Sequence, residues 1–175
     1  MQNFLAISAT GANRRGLLDE LSTAICDSGA NIADSRMTVL GKEFALVMLV
    51  SATWNAIAKL EDSIPRLEKS LDIRIVSRRT EARDPANEKM PYAIEVVSVD
   101  HPGVVNKIAH FFTVRDIDIE DVYTGTYKAV HTGTPMFSLH MTISVPTNTS
   151  IAGLRGEFTE FCDHLNLDSI MEPVK

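Results

Sequence analysis

The spacing of apolar residues along this chain occurs twice. After Gly16 the apolar positions run i, i+1, i+4, i+7 and i+8, and the same spacing follows Gly103 at a constant offset of 87 positions. The two sets are Leu17, Leu18, Leu21, Ala24 and Ile25, then Val104, Val105, Ile108, Phe111 and Phe112. Such spacing lines one side of a helix, so it predicts two helices that each bury one face.

The segments around each helix also repeat, in the order βαββαβ. A strand precedes the helix at residues 4–10 and 92–99, and a second strand begins at Ile32 or Ile119. The third strands are predicted at residues 44–51 and 136–145, second helices after Thr53 and Ser150, and final strands at residues 73–77 and 168–171. This order predicts an α+β fold of two tandem ferredoxin-like domains, each a four-stranded antiparallel sheet with two helices on one face.

A polar segment separates the two copies. Residues 80–90 contain Pro85 and show no helical spacing, which is typical of a linker. The predicted domains are therefore residues 1–79 and residues 91–175, joined by the linker at 80–90.

The third strands differ between the copies. In the second copy apolar and polar residues alternate, as expected when one face of a sheet is buried. In the first copy residues 44–50 are apolar on both sides. Since helices cover only one side of this sheet, we expect the other side, with Ala45, Val47 and Leu49, to pack against the other copy or a second chain. A second chain would make the protein a homodimer.

Charge and composition narrow the class of protein. The 175 residues are 45% hydrophobic and 23% charged, with a net charge of −6. A chain this acidic, with only short basic spots, is a poor direct binder of nucleic acid. No apolar run is long enough for a membrane helix, and the first residues do not resemble a signal peptide, so we expect a cytoplasmic protein. Cys26 and Cys162 lack metal or redox spacing and are expected to be reduced, semi-buried thiols.

The turn before each first helix is a candidate ligand site. It presents unpaired backbone N–H groups and the positive end of the helix dipole, which suit a carboxylate. Gly16 and Gly103 would let a ligand approach the backbone. Asn13, Asp100, Asn31 and Asp118 supply oxygens that could accept hydrogen bonds from an ammonium group. Structural roles stay open for each residue: the glycines could only shape the turn, Asn13 and Asp100 could only cap helices, and the others could only start a strand.

The turns resemble the ACT domain, a small amino-acid-sensing module. Its usual turn reads Asp-Arg-Pro-Gly followed by an apolar residue. The second copy has Asp100-His101-Pro102-Gly103-Val104, which is close to that form, and the first has Asn13-Arg14-Arg15-Gly16-Leu17, which lacks the Asp and the Pro. The resemblance implies an amino-acid ligand held between two modules, with the turn of one module facing strand two of its neighbour.

A closer resemblance covers the first copy. The segments Asn31-Ile32-Ala33-Asp34-Ser35-Arg36, Leu40-Gly41-Lys42-Glu43-Phe44 and Trp54-Asn55-Ala56-Ile57 are similar to the glycine cleavage system transcriptional repressor family. This resemblance implies a glycine-responsive regulator without catalytic activity that acts through a LysR-type activator protein. The implied ligand-binding residues are Asn13, Arg14, Arg15, Gly16, Leu17, Asn31, Ile32, Asp34, Asp100, His101, Gly103, Val104, Asp118 and Ile119.

Two other functions stay open. An ACT-type regulatory subunit could dock on a metabolic enzyme and confer feedback control by an amino acid. A small enzyme on the same fold is the third possibility, although the sequence has no nucleophile, phosphate-loop or metal-ligand motif. We therefore predict no catalytic residue, metal or cofactor.

Overall fold

The computed structural model describes residues 2–81 and 89–174. The chain divides into two compact units, one on each side of the boundary between residues 84 and 85. Most of the predicted linker lies outside the described residues. Strand structure reaches into both of its ends, because Thr80 closes the last strand of unit 1 and Lys89 opens the first strand of unit 2.

Unit 1 has the predicted order βαββαβ. Its elements are β1 (Asn3–Ala12), α1 (Leu17–Asp27), β2 (Asn31–Leu40), β3 (Glu43–Ala52), α2 (Trp54–Leu71) and β4 (Ile73–Thr80). The strands form one antiparallel sheet, here called the first sheet, in the order β2-β3-β1-β4. The Thr53 hydroxyl accepts a hydrogen bond from the Ala56 N–H and so caps α2, as predicted.

Unit 2 repeats this order. Its elements are β5 (Lys89–Val99), α3 (Val104–Thr113), β6 (Asp118–Lys128), β7 (Pro135–Pro146), α4 (Ile151–His164) and β8 (Asp168–Pro173). The four strands form the second sheet, in the order β6-β7-β5-β8. The α+β fold with two ferredoxin-like units is therefore confirmed, and the elements begin and end within a few residues of the predicted positions.

Each unit has its own core between the helices and one sheet face. In α1 the buried residues are Leu17, Leu21 and Ile25, and they pack over the inward-facing residues of the strands. Burying side chains of this size stabilises a fold by about 1.5–3 kcal/mol each. The prediction was wrong for the second member of each apolar set, because Leu18 is 44% and Val105 is 41% exposed. At about 3.6 residues per turn, Leu18 and Val105 lie about 100° around the helix from the buried Leu17 and Val104, at the margin of the buried face.

The second strand of each unit contains a bulge at the same place. The pairing of β2 with β3 shifts between Ile32 and Asp34, and the pairing of β6 with β7 shifts between Ile119 and Asp121. One extra residue in each strand, Ala33 or Glu120, accounts for the shift. A bulge of this kind bends its strand and changes where the next side chains point.

The helix-free face of the first sheet is less covered than predicted. Ala45 and Leu49 are half-buried, but Val47 is 55% exposed. Unit 1 therefore does not supply the expected covering layer itself, and the other copy or a second chain remains the predicted cover. Among the described residues, no helix is both long and apolar enough to cross a membrane.

Candidate functional site

Both candidate turns place glycine at the helix N-cap in the left-handed conformation. The φ angle is 90° at Gly16 and 93° at Gly103, which favours glycine at these two positions. The first helical hydrogen bonds are donated by Glu20 to the Gly16 carbonyl and by Lys107 to the Gly103 carbonyl. No side chain caps either helix. The N–H groups of the first turn are therefore available to an anionic ligand.

Asn13 and Asp100 occupy equivalent positions, but neither caps a helix, so that structural alternative was wrong. The N–H of Asn13 donates to the Lys42 carbonyl at 2.8 Å, and the N–H of Asp100 donates to the Pro135 carbonyl at 3.0 Å. These bonds fix each turn at the start of the third strand of its unit, β3 or β7. Both side chains are exposed and make no hydrogen bond within the described parts of the chain.

The two arginines of the first turn have different surroundings. Arg14 pairs with Glu20, with Nη1 2.5 Å from Oε1, and this hydrogen bond lowers the pKa of the Glu20 carboxyl. Arg15 is exposed and its guanidinium has no acidic partner among the described residues. Only Arg15 is therefore ready to bind a carboxylate, whereas Arg14 would first have to leave Glu20.

The other members of the turns have simpler surroundings. Leu17 and Val104 are buried and belong to the two cores. His101 is exposed, and its Nδ1 lies 3.3 Å from the Pro102 carbonyl. Leu17 and Val104 can thus position the helix start but cannot contact a polar ligand by side chain.

The polar candidates on strand two are exposed, and two of them form ion pairs. Asp34 accepts hydrogen bonds from Arg36 Nη1 at 2.5 Å and from the Ser35 N–H at 2.8 Å, and both lower the pKa of its carboxyl. Asp118 forms an ion pair with Lys89. The side chain of Asn31 has no partner in the described ranges, and Ile32 and Ile119 are half-buried against their cores.

Within one unit, the turn and the start of strand two lie at opposite ends of the sheet. Asn13 is fixed beside Glu43 at one end of β3, and Asn31 pairs with Ser51 at the other end. Eight residues of strand separate these points, which is about 26 Å. A single amino acid therefore cannot contact both sets in one unit. A site made from both sets would need two modules.

The two turns also differ in charge. The first turn of α1 contains Asp19 and Glu20, whereas the first turn of α3 contains no acid. Acids at a helix N-terminus compete with an anionic ligand for the same N–H groups. The first turn of α3 thus holds no acid that competes with a ligand carboxylate, whereas at α1 the positive charge of Arg15 offsets the two acids.

Sequence reasoning missed a shallow depression on the helix-free face of the first sheet. Its volume is about 170 Å³, and Ala6, Val47 and Leu49 lie beside Asp34 and Arg36 along it. The equivalent place on the second sheet is lined by Ala93, Glu95, Asp121, Tyr123, His140 and Thr142. The signal in the sequence is a small residue at the same position of each first strand, Ala6 in β1 and Ala93 in β5.

Across residues 2–81 and 89–174, no group of three or more His, Cys, Asp or Glu side chains is placed to hold a metal ion.

The comparisons with known proteins agree with this fold. Residues 3–77 match the model of the ACT domain. A crystal structure of a chain assigned to the glycine cleavage system transcriptional repressor superposes with a TM-score of 0.75 at 26% identity, covering 100% of this chain and 99% of the other. An unknown protein from Galdieria sulphuraria shares the fold, with a TM-score of 0.80 at 22% identity and full coverage of both chains. The protein is thus of the tandem ACT-domain class.

The particular family follows from sequence identity. The chain is 30% identical to the glycine cleavage system transcriptional repressor of Escherichia coli (strain K12) over 165 residues, which cover 94% of this chain and 87% of the relative. The protein of Shigella flexneri with the same name matches equally well. The chain therefore belongs to the glycine cleavage system transcriptional repressor family, and both of these relatives are named as transcriptional repressors.

Proposed function

We propose that this protein is an amino-acid-responsive regulator of the glycine cleavage system that acts in the cytoplasm through a protein partner. Glycine is the expected ligand, because the related repressors take their name from glycine cleavage. A LysR-type activator is the expected partner. The net charge of −6 supports a role that does not require direct contact with DNA phosphates.

The observation that supports ligand binding most directly is the repeated turn. Gly16 and Gly103 have the same left-handed conformation and leave a first helical turn without a side-chain cap, although the flanking residues differ. A glycine carboxylate would accept from these N–H groups, with Arg15 adding a charged donor in unit 1. The conservation of shape between the two copies is what a shared ligand chemistry would require.

The ammonium group of the ligand needs acceptors that the first helical turn does not offer. Asp100 and Asn13 lie within the same turns and have exposed side-chain oxygens. The side-chain amide oxygen of Asn31 is a further acceptor, but in its own unit Asn31 lies about 26 Å away from the turn. We therefore assign Asn31 and Asp118 to the opposite wall of a site that two modules complete.

A ligand that bridges two modules would change the relative populations of the arrangements that the two modules adopt. This requires a higher affinity for one arrangement than for another, since equal affinity shifts nothing. The partner would then recognise the arrangement that glycine favours or disfavours.

The test is a thermal-shift panel of the twenty amino acids on the purified full chain. A ligand at about 100 times its Kd adds about 2.7 kcal/mol to the free energy of unfolding, which raises the Tm by several degrees. We expect a shift with glycine that is lost in Asn13→Ala or Asp100→Ala. Asn148→Ala is the matched control, because Asn148 is an exposed turn residue outside both sites.

A panel without any shift would contradict the sensor function. If glycine binds, a pull-down from cell extract with and without glycine then identifies the partner. Capture of a transcription activator supports the proposal, and capture of a metabolic enzyme would replace it with the regulatory-subunit function.

A further inference from the structure

The register of the first sheet arranges its helix-free face in rows, with one side chain from each strand. One row reads Asp34, Leu49, Ala6 and Arg78 across the order β2-β3-β1-β4. An acid thus lies at one edge and a base at the other. Between them a large apolar side chain lies beside a small one.

We propose that this face packs against the same face of a second copy of the chain, about a two-fold axis parallel to the strands. Such an axis reverses the strand order of the copy that lies above. The row then meets its own reversed copy, which places Asp34 opposite Arg78 of the second copy and Leu49 opposite its Ala6. A two-fold interface requires a surface that is complementary to itself, and this row is.

The shapes of the central residues support this pairing. The depression beside Ala6 has a volume of about 170 Å³ on each face, and the half-buried Leu49 lines it. Packed sheets lie about 10 Å apart with interdigitating side chains. Each Leu49 would therefore enter the depression beside Ala6 of the second copy.

The next row extends the same match. It reads Arg36, Val47, Ser8 and Val76. The reversal sets Val47 over Ser8 of the second copy and the aliphatic stem of Arg36 over its Val76. This contact would cover Val47 and Val76, which are 55% and 62% exposed in the single chain.

Arg78 and Asp34, which lie at the two edges of the row, can each form the ion pair that the dimer requires. Arg78 is exposed and has no acidic partner within the described ranges. Asp34 already accepts from Arg36, but a carboxylate has two oxygens and can accept from a second guanidinium. The pair between Asp34 and Arg78 would thus add an ion pair at each edge of the interface and set the register of the two faces.

The equivalent row of the second sheet does not have this property. It reads Asp121, Thr142, Ala93 and Glu172 across the order β6-β7-β5-β8. The same two-fold operation would place acid opposite acid at both edges, without a large apolar side chain between them. The proposal therefore applies to the first sheet alone.

The size of the face suits a modest dimer. Four strands span about 19 Å and eight residues span about 27 Å, so each partner contributes a plane of about 500 Å². Because side chains project from this plane, the buried surface area exceeds it and approaches the lower limit of specific interfaces. We expect a dimer whose population depends on protein concentration.

The experiment is sedimentation equilibrium of the full chain without added amino acid, over about 1–100 µM, a range chosen for an interface at the small end of the specific class. We expect wild type to approach twice the monomer mass of 19.3 kDa. Asp34→Arg and Arg78→Asp should each be monomeric, because each opposes like charges at both edges. An equimolar mixture of the two variants should dimerise again, since the mixed pair has an acid opposite a base at both edges.

Two further variants test whether the helix-free face of the first sheet, and not that of the second, forms the interface. Val47→Asp should be monomeric, and Asp121→Arg on the second sheet should dimerise like wild type; circular dichroism checks that each is folded. A monomeric wild type, dimeric single variants, or a mixture that stays monomeric would each overturn the proposal. Because no ligand is present, these results do not depend on whether glycine binds.

Discussion

The guanidinium of Arg14 donates two hydrogen bonds to the carboxylate of Glu20, one of 2.5 Å from Nη1 to Oε1 and one of 3.2 Å from Nη2 to Oε2. Arg14 lies in the turn before α1, and Glu20 lies in the first turn of that helix. The ion pair thus connects the candidate ligand turn to the helix that follows it. It also removes one of the two arginines from direct contact with a ligand carboxylate.

This ion pair makes stability depend on pH. The hydrogen bond from Arg14 lowers the pKa of Glu20 below its ordinary value of 4.5. The contribution is therefore fully present above about pH 4.5 and is lost as the pH falls through the lower value in the folded state. We predict that Glu20→Gln lowers the Tm slightly at neutral pH and that the difference from wild type disappears in acid. Thermal unfolding followed across pH 3–7 measures this.

The control for this prediction is Asp19→Asn. Asp19 lies in the same turn of α1, and its replacement leaves the pair between Arg14 and Glu20 in place. Both side chains of the pair are nearly half exposed, so solvent screening limits the expected difference to a few degrees at most. A difference for Glu20→Gln that persists unchanged at low pH would show that the pair is not its cause.

The two cysteines are predicted to differ in reactivity. Cys26 is exposed on α1, so the expectation of two semi-buried thiols was wrong for it. Cys162 is fully buried in α4, and burial raises the pKa of its thiol, which disfavours the reactive thiolate. A chromogenic disulfide reagent should modify one thiol per native chain and two in denaturant. Cys26→Ser should abolish the native reaction, and rapid modification of that variant would contradict the buried position of Cys162.

The sequence predicted the helices and strands well because the residues that face the core recur at a regular spacing. Leu46 and Met48 alternate with less buried neighbours along β3, and Leu17, Leu21 and Ile25 recur at helical spacing. The bulges at Ala33 and Glu120 were not predictable in the same way. Both lie in edge strands whose side chains are exposed on both faces, so no alternation exists for an extra residue to interrupt.

The candidate site was only partly predictable. The glycine turns follow from the sequence, because a left-handed N-cap favours glycine. The pairing of Arg14 with Glu20 and the distance of about 26 Å between Asn13 and Asn31 do not, since both depend on how the chain returns across the sheet. The row of Asp34, Leu49, Ala6 and Arg78 likewise requires the strand register, which joins residues from four separate segments.

The aromatic cluster of unit 2 should dominate the stability of that unit. The ring of Phe158 lies 5.3 Å from that of Phe111 and 5.1 Å from that of Phe112, measured between centroids, and its side chain is 1% exposed. Phe158→Ala removes these contacts and leaves a cavity among rigid neighbours. We predict a loss of about 3–5 kcal/mol in the free energy of unfolding, measured by urea denaturation with circular dichroism.

Phe161 provides the matched control on the same helix. It is only half-buried, although its ring also lies near that of Phe111, at 4.9 Å. Phe161→Ala exposes its neighbours to water and does not enclose a cavity, so its cost should be clearly smaller than that of Phe158→Ala. Equal losses for the two variants would mean that the cluster responds to lost aromatic contacts and not to the cavity. A loss below about 1 kcal/mol for Phe158→Ala would contradict the tight packing of this core.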